Sequence, residues 1–404
     1  MKRTVFILAI ILIVRFECDG QSREFNDELI TVDVTKSYSQ KKELMLQDFM
    51  DVEYIALETN DDFLNQGYVM DVGKKFILVI NEIDDGDIFV YDRSGKALRK
   101  INNKGQQLSR EYIKILGITL DEDNNEMFVN DIFTKTILVY DLYGKFKRSF
   151  KYKEGTKYQY YQTIYNYDKN NLICFFEDKD TRRDFILISK KNGSVSHEMK
   201  IPFKEYLTFV YNEAKDTKKV ASNNSYISSS SVIATITTVR TINMFSPRYE
   251  SILAYNDNWL IIEPSSDTIY SFLPNYQLCP LIVGTPPVHS MKQRIHLVLH
   301  NYTDRYYFMR AIKYEKNFSG YNLLYDKQEK DFFTYAVYND DYATKKEISL
   351  YFQGNQEISW KSINAFQLVD DYKKGALKDG KLKEIASKLD EEDNAVIMLV
   401  KRKK

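Results

Sequence analysis

Carboxylate and amide side chains recur in this sequence where apolar, strand-like segments end. The members of this set are Asn81 with Glu82, Asn130 with Asp131, Glu177 with Asp178, Glu263, and Glu111 with Tyr112 in the loop 105–112. Gathered around one opening, they can bind a cation, a sugar or a peptide amine, because their oxygens accept hydrogen bonds and coordinate hard cations. Asp and Asn at strand ends also accept hydrogen bonds from loop amides of their own chain. Both interpretations remain open at this stage.

Other reactive residue types do not form a recognisable motif. His296 and His300 lie on one strand face, but a regular strand separates them by about 13 Å, too far to share a metal unless the strand is bulged. Arg182 and Arg183 can clamp a carboxylate or phosphate, although most such pairs are simply solvated. With four histidines and three cysteines and no ligand spacing, we predict no metal site, catalytic residue or cofactor. A bound divalent cation stays open, as does an enzymatic role.

The composition is that of an ordinary globular protein. The 404 residues carry no formal net charge and are 44% hydrophobic and 14% aromatic. A balanced charge gives no support for nucleic-acid binding, so no nucleic-acid partner is predicted.

A repeat organises the chain and must position the polar residues. The segments 78–101 and 127–150 align without a gap at a shift of 49 residues, pairing Tyr91-Asp92 with Tyr140-Asp141 and Gly95 with Gly144. Each copy predicts a strand, a polar loop, a second strand, a tight turn and a last strand. In the turn, Asp should accept backbone hydrogen bonds and Gly should adopt positive φ. In the last strand, apolar side chains should pack while the alternating basic ones stay in water.

A strand repeat of this length is typical of propeller blades. We predict an all-β fold: a six-bladed β-propeller with four-stranded antiparallel blades, closed by pairing of N- and C-terminal strands. A two-sheet sandwich with a chance repeat is the alternative. The predicted segments are N-terminal strands at 28–34 and 52–57, blades at 67–101, 112–150, 159–201, 251–274, 295–338 and 348–368, an irregular insertion near 204–247, a helix at 382–389 and a last strand at 395–401.

The first 20 residues resemble a secretory signal segment, followed by a single propeller domain at 21–404. Lys2 and Arg3 precede an apolar run at 5–14 that is too short for a permanent membrane span. Cys18 lies where a bacterial lipoprotein would be acylated, whereas cleavage after Gly20 would place small residues at the positions that ordinary signal peptidase prefers. Both processing routes stay open.

Several segments resemble those of the six-bladed β-propeller proteins of Bacteroidetes envelopes, which are related to NHL-repeat propellers. They are DIFVYDRSGKALRKI, KGQQLSREY, NEMFVNDIFTKTILVYDLYGK, DTIYSFLPNY and the C-terminal LKEIASKLDEEDNAVIMLVKRK. The resemblance implies an exported protein of the periplasm, outer membrane or cell surface of a Gram-negative bacterium. It implies no catalytic residues. The loop 105–112 departs from the family pattern, because it lacks a Pro and two glycines.

Propeller loops that join the second strand to the third, and the fourth to the next blade, converge on one face, which we call the 2–3 face. The predicted polar residues all lie there, so we expect an envelope-located binding module with a glycan, a peptide or a partner protein on this face. Contact with a membrane is expected only through a lipid anchor. The alternative is a hydrolase or lyase with a carboxylate- or cation-based site at the channel mouth.

Overall fold

The structure is a computed structural model that describes residues 28–81, 85–106, 109–152, 160–177, 183–203, 205, 210–212, 217–221, 233–237, 241–243, 250–263, 265–313, 319–354 and 358–403. Six four-stranded antiparallel blades are arranged as a β-propeller. The predicted fold class is therefore confirmed, and the two-sheet sandwich is wrong.

Three strands precede the first blade. They are β1 (Ile30–Asp33), β2 (Lys41–Met45) and β3 (Met50–Ala56), with the one-turn helix α1 (Leu46–Phe49) before β3.

Blades one to three each consist of four consecutive strands. Blade one contains β4 (Tyr68–Val72), β5 (Phe76–Ile80), β6 (Ile88–Asp92) and β7 (Ala97–Ile101). Blade two contains β8 (Ile115–Asp121), β9 (Glu126–Asp131), β10 (Thr136–Asp141) and β11 (Phe146–Lys151). Blade three contains β12 (Tyr160–Asn166), β13 (Asn171–Glu177), β14 (Arg183–Ser189) and β15 (Val195–Met199).

Four short strands then lie in the segment for which we predicted an insertion. They are β16 (Val210–Asn212), β17 (Thr217–Ala221), β18 (Ile233–Thr237) and β19 (Thr241–Asn243). They form two antiparallel pairs, β16 with β19 and β17 with β18.

Blades four to six complete the ring. Blade four contains β20 (Ile252–Tyr255), β21 (Asn258–Ile261), β22 (Thr268–Phe272) and β23 (Leu278–Thr285), and a 3-10 helix (Val288–Ser290) follows it. Blade five contains β24 (Ile295–Tyr302), β25 (Tyr306–Lys313), β26 (Ser319–Asp326) and β27 (Asp331–Asn339), with the short β28 (Lys346–Glu347) paired to β27. Blade six contains β29 (Gln353–Gly354), β30 (Ser359–Ile363), β31 (Val396–Arg402) and β3, with helices α2 (Ala365–Lys373) and α3 (Lys381–Ala386) between β30 and β31.

The two ends of the chain close the propeller as predicted. β3 is the outermost strand of blade six and pairs antiparallel with β31, so that Met50 lies opposite Arg402. The other two N-terminal strands pair in parallel with outer strands, β1 with β23 of blade four and β2 with β27 of blade five. The N-terminal segment thus runs along the edges of three consecutive blades. The sequence did not predict β2.

The turns of the repeat have the predicted chemistry. The carboxylates of Asp92 and Asp141 each accept hydrogen bonds of 2.8–3.1 Å from the amides two and four residues later. Gly95 and Gly144 both have φ of 87°. A Cβ on Gly144 would lie 2.6 Å from the side chain of Ile101, which belongs to the outermost strand of the preceding blade. These glycines therefore permit the turn and its close contact with the neighbouring blade.

The apolar core lies between blades rather than within one. In the described part of the chain, each pair of adjacent blades shares a cluster of buried side chains. Leu78 and Val90 of blade one, for example, pack with Leu120 and Leu138 of blade two. A blade has two apolar faces, and the ring arrangement buries both.

Two local predictions are wrong. In the last strand of blade one, Leu98 is exposed whereas Arg99 is half-buried, because Arg99 Nη1 donates a 2.8 Å hydrogen bond to the Leu142 carbonyl of blade two. Its repeat equivalent Arg148 donates to the Lys190 carbonyl of blade three. These arginines join blades instead of only facing water. Residues 365–368, predicted as part of blade six, begin α2.

Candidate functional site in the central channel

The first strands of the blades line the channel, and several carry a β-bulge there. The pairing of the first and second strands shifts at Met70 in blade one, at Leu116 in blade two and at His300 in blade five. All three residues line channel cavities. A bulge inserts an extra residue and redirects its side chain, a device common near functional sites.

A channel cavity of about 580 Å³ opens between blades one, two and three. We call it the mouth cavity. It is lined by the ends of β4, β8 and β12 and by the turns that follow them, including Asp71, Asp121 and Tyr167. These turns join first strands to second strands. The cavity therefore opens on the face opposite to the 2–3 face. We call this opposite face the 1–2 face.

Hydrogen bonds between blades hold the wall of the mouth cavity. Asp71 Oδ2 accepts from the Leu120 amide at 2.8 Å, and the Asn166 side chain donates to the Leu120 carbonyl. Thr119 Oγ1 donates to the Ile164 carbonyl at 2.8 Å. Neighbouring first strands are thus joined laterally, although they do not share a sheet.

Charged side chains surround the mouth cavity, and several are already engaged. The Glu122 carboxylate accepts hydrogen bonds of 2.9 Å from the amides of residues 74, 75 and 76 in the adjacent blade. Lys190 forms a buried ion pair with Asp121 at 2.8 Å. Asp123 and Lys169 are exposed at the rim. Both signs of charge are therefore present around one opening.

A second cavity of about 180 Å³ lies further along the channel, and we call it the inner cavity. Glu250 lies on its wall and accepts hydrogen bonds from Tyr165 Oη at 3.2 Å and Tyr351 Oη at 3.1 Å. Tyr165 belongs to blade three, Glu250 directly precedes blade four, and Tyr351 directly precedes blade six, so the three side chains form a bridge across the channel. Burial raises the pKa of the Glu250 carboxyl above its ordinary value, and it also raises the pKa of the Tyr165 hydroxyl.

A third, small cavity of about 30 Å³ lies beside this bridge, and we call it the side cavity. Glu250, His300 and Arg402 line it. Burial, with the nearby charge of Arg310, lowers the pKa of His300 to about 4, so its imidazole is neutral at neutral pH. Tyr165 lines all three cavities and is therefore the side chain that connects them.

Of the predicted site residues, Asn130 lines the inner cavity. Its side chain is 3% exposed, donates to the Tyr161 carbonyl at 2.7 Å and accepts from the Tyr152 hydroxyl. Asp131 is fully buried and accepts from the Ile113 amide at 2.9 Å. Both side chains bind their own chain, as the alternative interpretation expected.

Four further predicted residues do not line any of the three cavities. Asn81 Oδ1 accepts from the Gln66 amide at 3.0 Å. Tyr112 is buried, and its hydroxyl donates to the Gly86 carbonyl at 2.7 Å. Glu263 is buried and accepts from the Ser265 amide at 2.9 Å, and Glu111 is half-buried. A ligand-binding role for these residues stays a prediction.

Other predictions fall outside what can be placed. Glu177 ends β13, and Glu82, Asp178, Arg182 and Cys18 lie outside the described residues. In the part of the chain that the structure describes, no three His, Cys, Asp or Glu side chains are grouped as metal ligands. Within the same part, no helix is long and apolar enough to cross a membrane.

The sequence did not predict Glu250, Tyr165 or Tyr351 as site residues. Their hydrogen bonds join positions that are 85 and 101 residues apart in the sequence, so no local motif indicates them. One available signal was an Asp within two residues of the end of the first strand in blades one to three, at 71, 121 and 168. It marks the turns of the 1–2 face.

Comparison with known proteins agrees with this fold. A family model described as a domain of unknown function, DUF4934, matches residues 29–401. The chain belongs to this family. No curated protein matches it.

Solved structures resemble this DUF4934 chain at low sequence identity. A protein of Bacteroides fragilis, named as an exported protein, superposes with a TM-score of 0.56 at 15% identity, covering 93% of this chain and 100% of its own. A DUF4221 family member from Bacteroides vulgatus gives 0.43 at 9% identity, covering 88% and 99%. Virginiamycin B lyase from Staphylococcus aureus, solved with quinupristin, gives 0.35 at 11%, covering 87% and 99%. At these identities, the first match supports the propeller fold alone.

Proposed function

We propose that this chain is an exported propeller that binds a glycan in the mouth cavity on the 1–2 face. The observation that carries the proposal is the cavity itself, about 580 Å³, whose wall includes Tyr165 of the Tyr165–Glu250–Tyr351 bridge. Small-ligand sites typically have volumes of about 300–1,000 Å³, so the space suits a short oligosaccharide rather than a folded partner.

The chemistry of the wall suits sugar hydroxyls, which both donate and accept hydrogen bonds. Carboxylates, lysines, amides and hydroxyls lie beside the aromatic rings of Tyr165 and Tyr167. Tyr167 is held by ring contacts with Trp259 and Phe272, at centroid distances of 6.4 and 5.8 Å. Its position is therefore fixed before a ligand binds, which reduces the entropy cost of binding.

The test is binding of a panel of neutral oligosaccharides, measured by thermal shift and then by calorimetry. We expect saturable binding of at least one oligosaccharide, with about 2.7 kcal/mol of added stability at one hundred times its Kd. The double variant Asp123→Ala, Lys169→Ala changes two exposed rim residues and should weaken binding at least tenfold. Phe133→Ala, which changes an exposed residue on the 2–3 face, is the control. Loss of binding in the control alone would contradict the proposed face, and tight binding of short peptides alone would contradict the glycan.

A second candidate function is a hydrolase or lyase. The observation that favours it is the Glu250 carboxyl, whose raised pKa is the property that a general acid needs near neutral pH. Incubation with the same oligosaccharides should then release shorter products, and Glu250→Gln should abolish release without abolishing binding. Unchanged oligosaccharides after prolonged incubation would exclude this function for the panel.

Export belongs to the same proposal, supported by the basic and apolar leader and by the name of the Bacteroides fragilis protein. Mass spectrometry of the mature protein from a Gram-negative host separates the two processing routes. An acylated Cys18 at the new terminus indicates a lipid anchor, whereas a terminus at Gln21 indicates ordinary cleavage. No cofactor is proposed, and a thermal-shift titration with divalent cations tests the open alternative of a bound cation.

A further inference from the structure

Arg402 lacks the kind of acidic partner that Arg148 and Arg305 have at blade contacts. Arg148 pairs with Glu126 and Arg305 with Asp326, both at 2.7–2.8 Å. The guanidinium of Arg402, the last residue of β31, forms no ion pair or hydrogen bond with any described residue, although the residue lies in the wall of the side cavity. The charge of the exposed Asp304 reaches it without forming an ion pair. Burying a guanidinium without a counter-ion is unfavourable, so an anionic ligand beside Arg402 would offset this cost.

The side chain of Arg402 is nevertheless held in place. Its guanidinium carbon lies 3.9 Å from the centre of the Tyr302 ring, which is a cation–π contact. The edge of a guanidinium matches a carboxylate with two parallel hydrogen bonds. The geometry is therefore prepared for a planar anion.

The neighbours in the side cavity are compatible with an anion. His300 is the bulged residue of β24, and its Nε2 is shielded from water and has no hydrogen-bond partner among the described residues. Glu250 is the acidic group that shares the cavity, and burial raises its pKa, so its carboxyl stays neutral to a higher pH than usual and repels an anion less. His300 and Arg402 thus offer unused polar atoms in one small space.

The size and position of the side cavity fit one carboxylate group. About 30 Å³ accommodates roughly two water molecules, which is the space that two carboxylate oxygens need. Tyr165 and Ile358 line both this cavity and the mouth cavity. The two cavities therefore adjoin, and a ligand in the mouth cavity would have to pass its terminal acidic group beside Tyr165 to reach Arg402.

We infer that Arg402, with His300 beside it, binds the carboxylate of an acidic ligand that occupies the mouth cavity. This inference rests on the proposed function and narrows it from glycans in general to a ligand with a carboxylate. The carboxylate is that of a uronic acid in the glycan, and binding through the C-terminus of a peptide is an outcome that the test would reveal.

The test compares acids with their neutral derivatives by calorimetry. The probes are digalacturonate and its methyl ester, and triglycine and triglycinamide. We expect digalacturonate to bind at least tenfold more tightly than its methyl ester, whereas a preference for triglycine over triglycinamide alone would contradict both the acidic glycan and the proposed function. Arg402→Gln should abolish this preference. Arg402→Lys keeps the charge but loses the paired hydrogen bonds, so it should retain only part of the preference.

Arg294→Gln is the matched control, because Arg294 is also half-buried, forms no ion pair with a described residue and lies outside the three cavities. Unfolding curves of each variant without ligand show whether it is folded. If Arg402→Gln is not folded, the preference for the acid is tested with Arg402→Lys instead. Equal binding of acid and neutral derivative would overturn the inference while leaving the proposed function intact. A preference that survives in a folded Arg402→Gln would overturn it as well. No binding of any probe or of the neutral oligosaccharides would overturn both.

Discussion

Asp71 and Leu120 occupy equivalent positions in consecutive blades, 49 residues apart, and Asp71 Oδ2 accepts a 2.8 Å hydrogen bond from the Leu120 amide. The same 49-residue shift relates the two copies of the sequence repeat. The hydrogen bond joins the first strands of blades one and two at the edge of the mouth cavity. This hydrogen bond between repeat-equivalent positions therefore helps to shape the edge of the mouth cavity.

Removing this carboxylate should destabilise the protein. Asp71→Ala leaves the buried Leu120 amide without its acceptor, and the expected cost is about 1–3 kcal/mol in the free energy of unfolding. Urea unfolding measures it. Asp123→Ala, which removes an exposed carboxylate from the same cavity rim, should change stability by less than about 0.5 kcal/mol. Equal effects of the two substitutions would show that the interblade bond contributes nothing.

The turn glycines should be sensitive for two separable reasons. Gly144→Ala imposes a Cβ on a residue with φ of 87° and places it 2.6 Å from Ile101. Gly375→Ala imposes the same kind of strain at φ of 65°, but no atom lies within 4 Å of its Cβ. We expect a loss of about 1–2 kcal/mol for Gly375→Ala and a further 1–3 kcal/mol for Gly144→Ala. Equal melting temperatures of the two variants in thermal unfolding would contradict this expectation.

Glu250 should make stability depend on pH in a defined direction. Its pKa is raised in the folded state, so the folded protein binds the proton more tightly than the unfolded chain does. The resulting stabilisation is complete below the ordinary pKa of 4.5 and is lost as the pH rises through the raised value. Glu250→Gln removes this dependence, so the melting temperature of the wild type minus that of the variant should fall as the pH rises above about 4.5. Each tenfold difference in proton affinity corresponds to about 1.4 kcal/mol. A parallel pair of curves, as expected for the exposed control Glu392→Gln, would contradict the assignment.

The N-terminal strand β2 should depend on a buried carboxylate in blade five. Lys42 of β2 and Arg305 both donate to Asp326, whose side chain is fully buried. Burial opposes ionisation of Asp326, but these hydrogen bonds outweigh it and hold its pKa well below the ordinary value. Lys42→Gln should cost about 3 kcal/mol at neutral pH and increase hydrogen exchange in β2. The exposed neighbour Lys41→Gln should cost less than about 1 kcal/mol.

The sign of the pH dependence follows from the lowered pKa. The stabilisation by Asp326 is present above its ordinary pKa of 3.8 and is lost as the pH falls towards the lowered value. The difference in stability between wild type and Lys42→Gln should therefore persist from pH 7 to about 4 and narrow below that. A difference that stays constant into the acid range would rule out this ion pair as its origin.

The sequence predicted the parts of the fold that short-range chemistry controls. Asp92 and Gly95 lie within one turn, and their hydrogen bonds and positive φ depend only on neighbours in the chain, so the pattern repeats visibly at Asp141 and Gly144. Arg99 was predicted incorrectly because its partner, the Leu142 carbonyl, belongs to another blade. Local alternation cannot show such a partner.

The candidate site was less predictable for the same reason. Tyr165 lies in blade three, whereas Glu250 and Tyr351 lie just before blades four and six. None of the three belongs to a recognisable motif in its own segment, and their hydrogen bonds form only in the folded chain. The polar strand ends that the sequence does show, such as Asp131, satisfy loop amides on the 2–3 face. The mouth cavity instead depends on how first strands meet around the channel, which is set by the packing of whole blades.

The pairing of the earliest strands with the latest ones constrains the order in which the molecule can be completed. Ile30 finds its partner only at Ile282, Lys41 at Thr334 and Met50 at Arg402. During synthesis or secretion, β1, β2 and β3 can pair as they do in the folded protein only after β23, β27 and β31, respectively, have emerged. A propeller that is closed by both ends of its chain cannot be completed progressively from the N-terminus. A chain that lacked β31 would leave β3 without its partner in blade six.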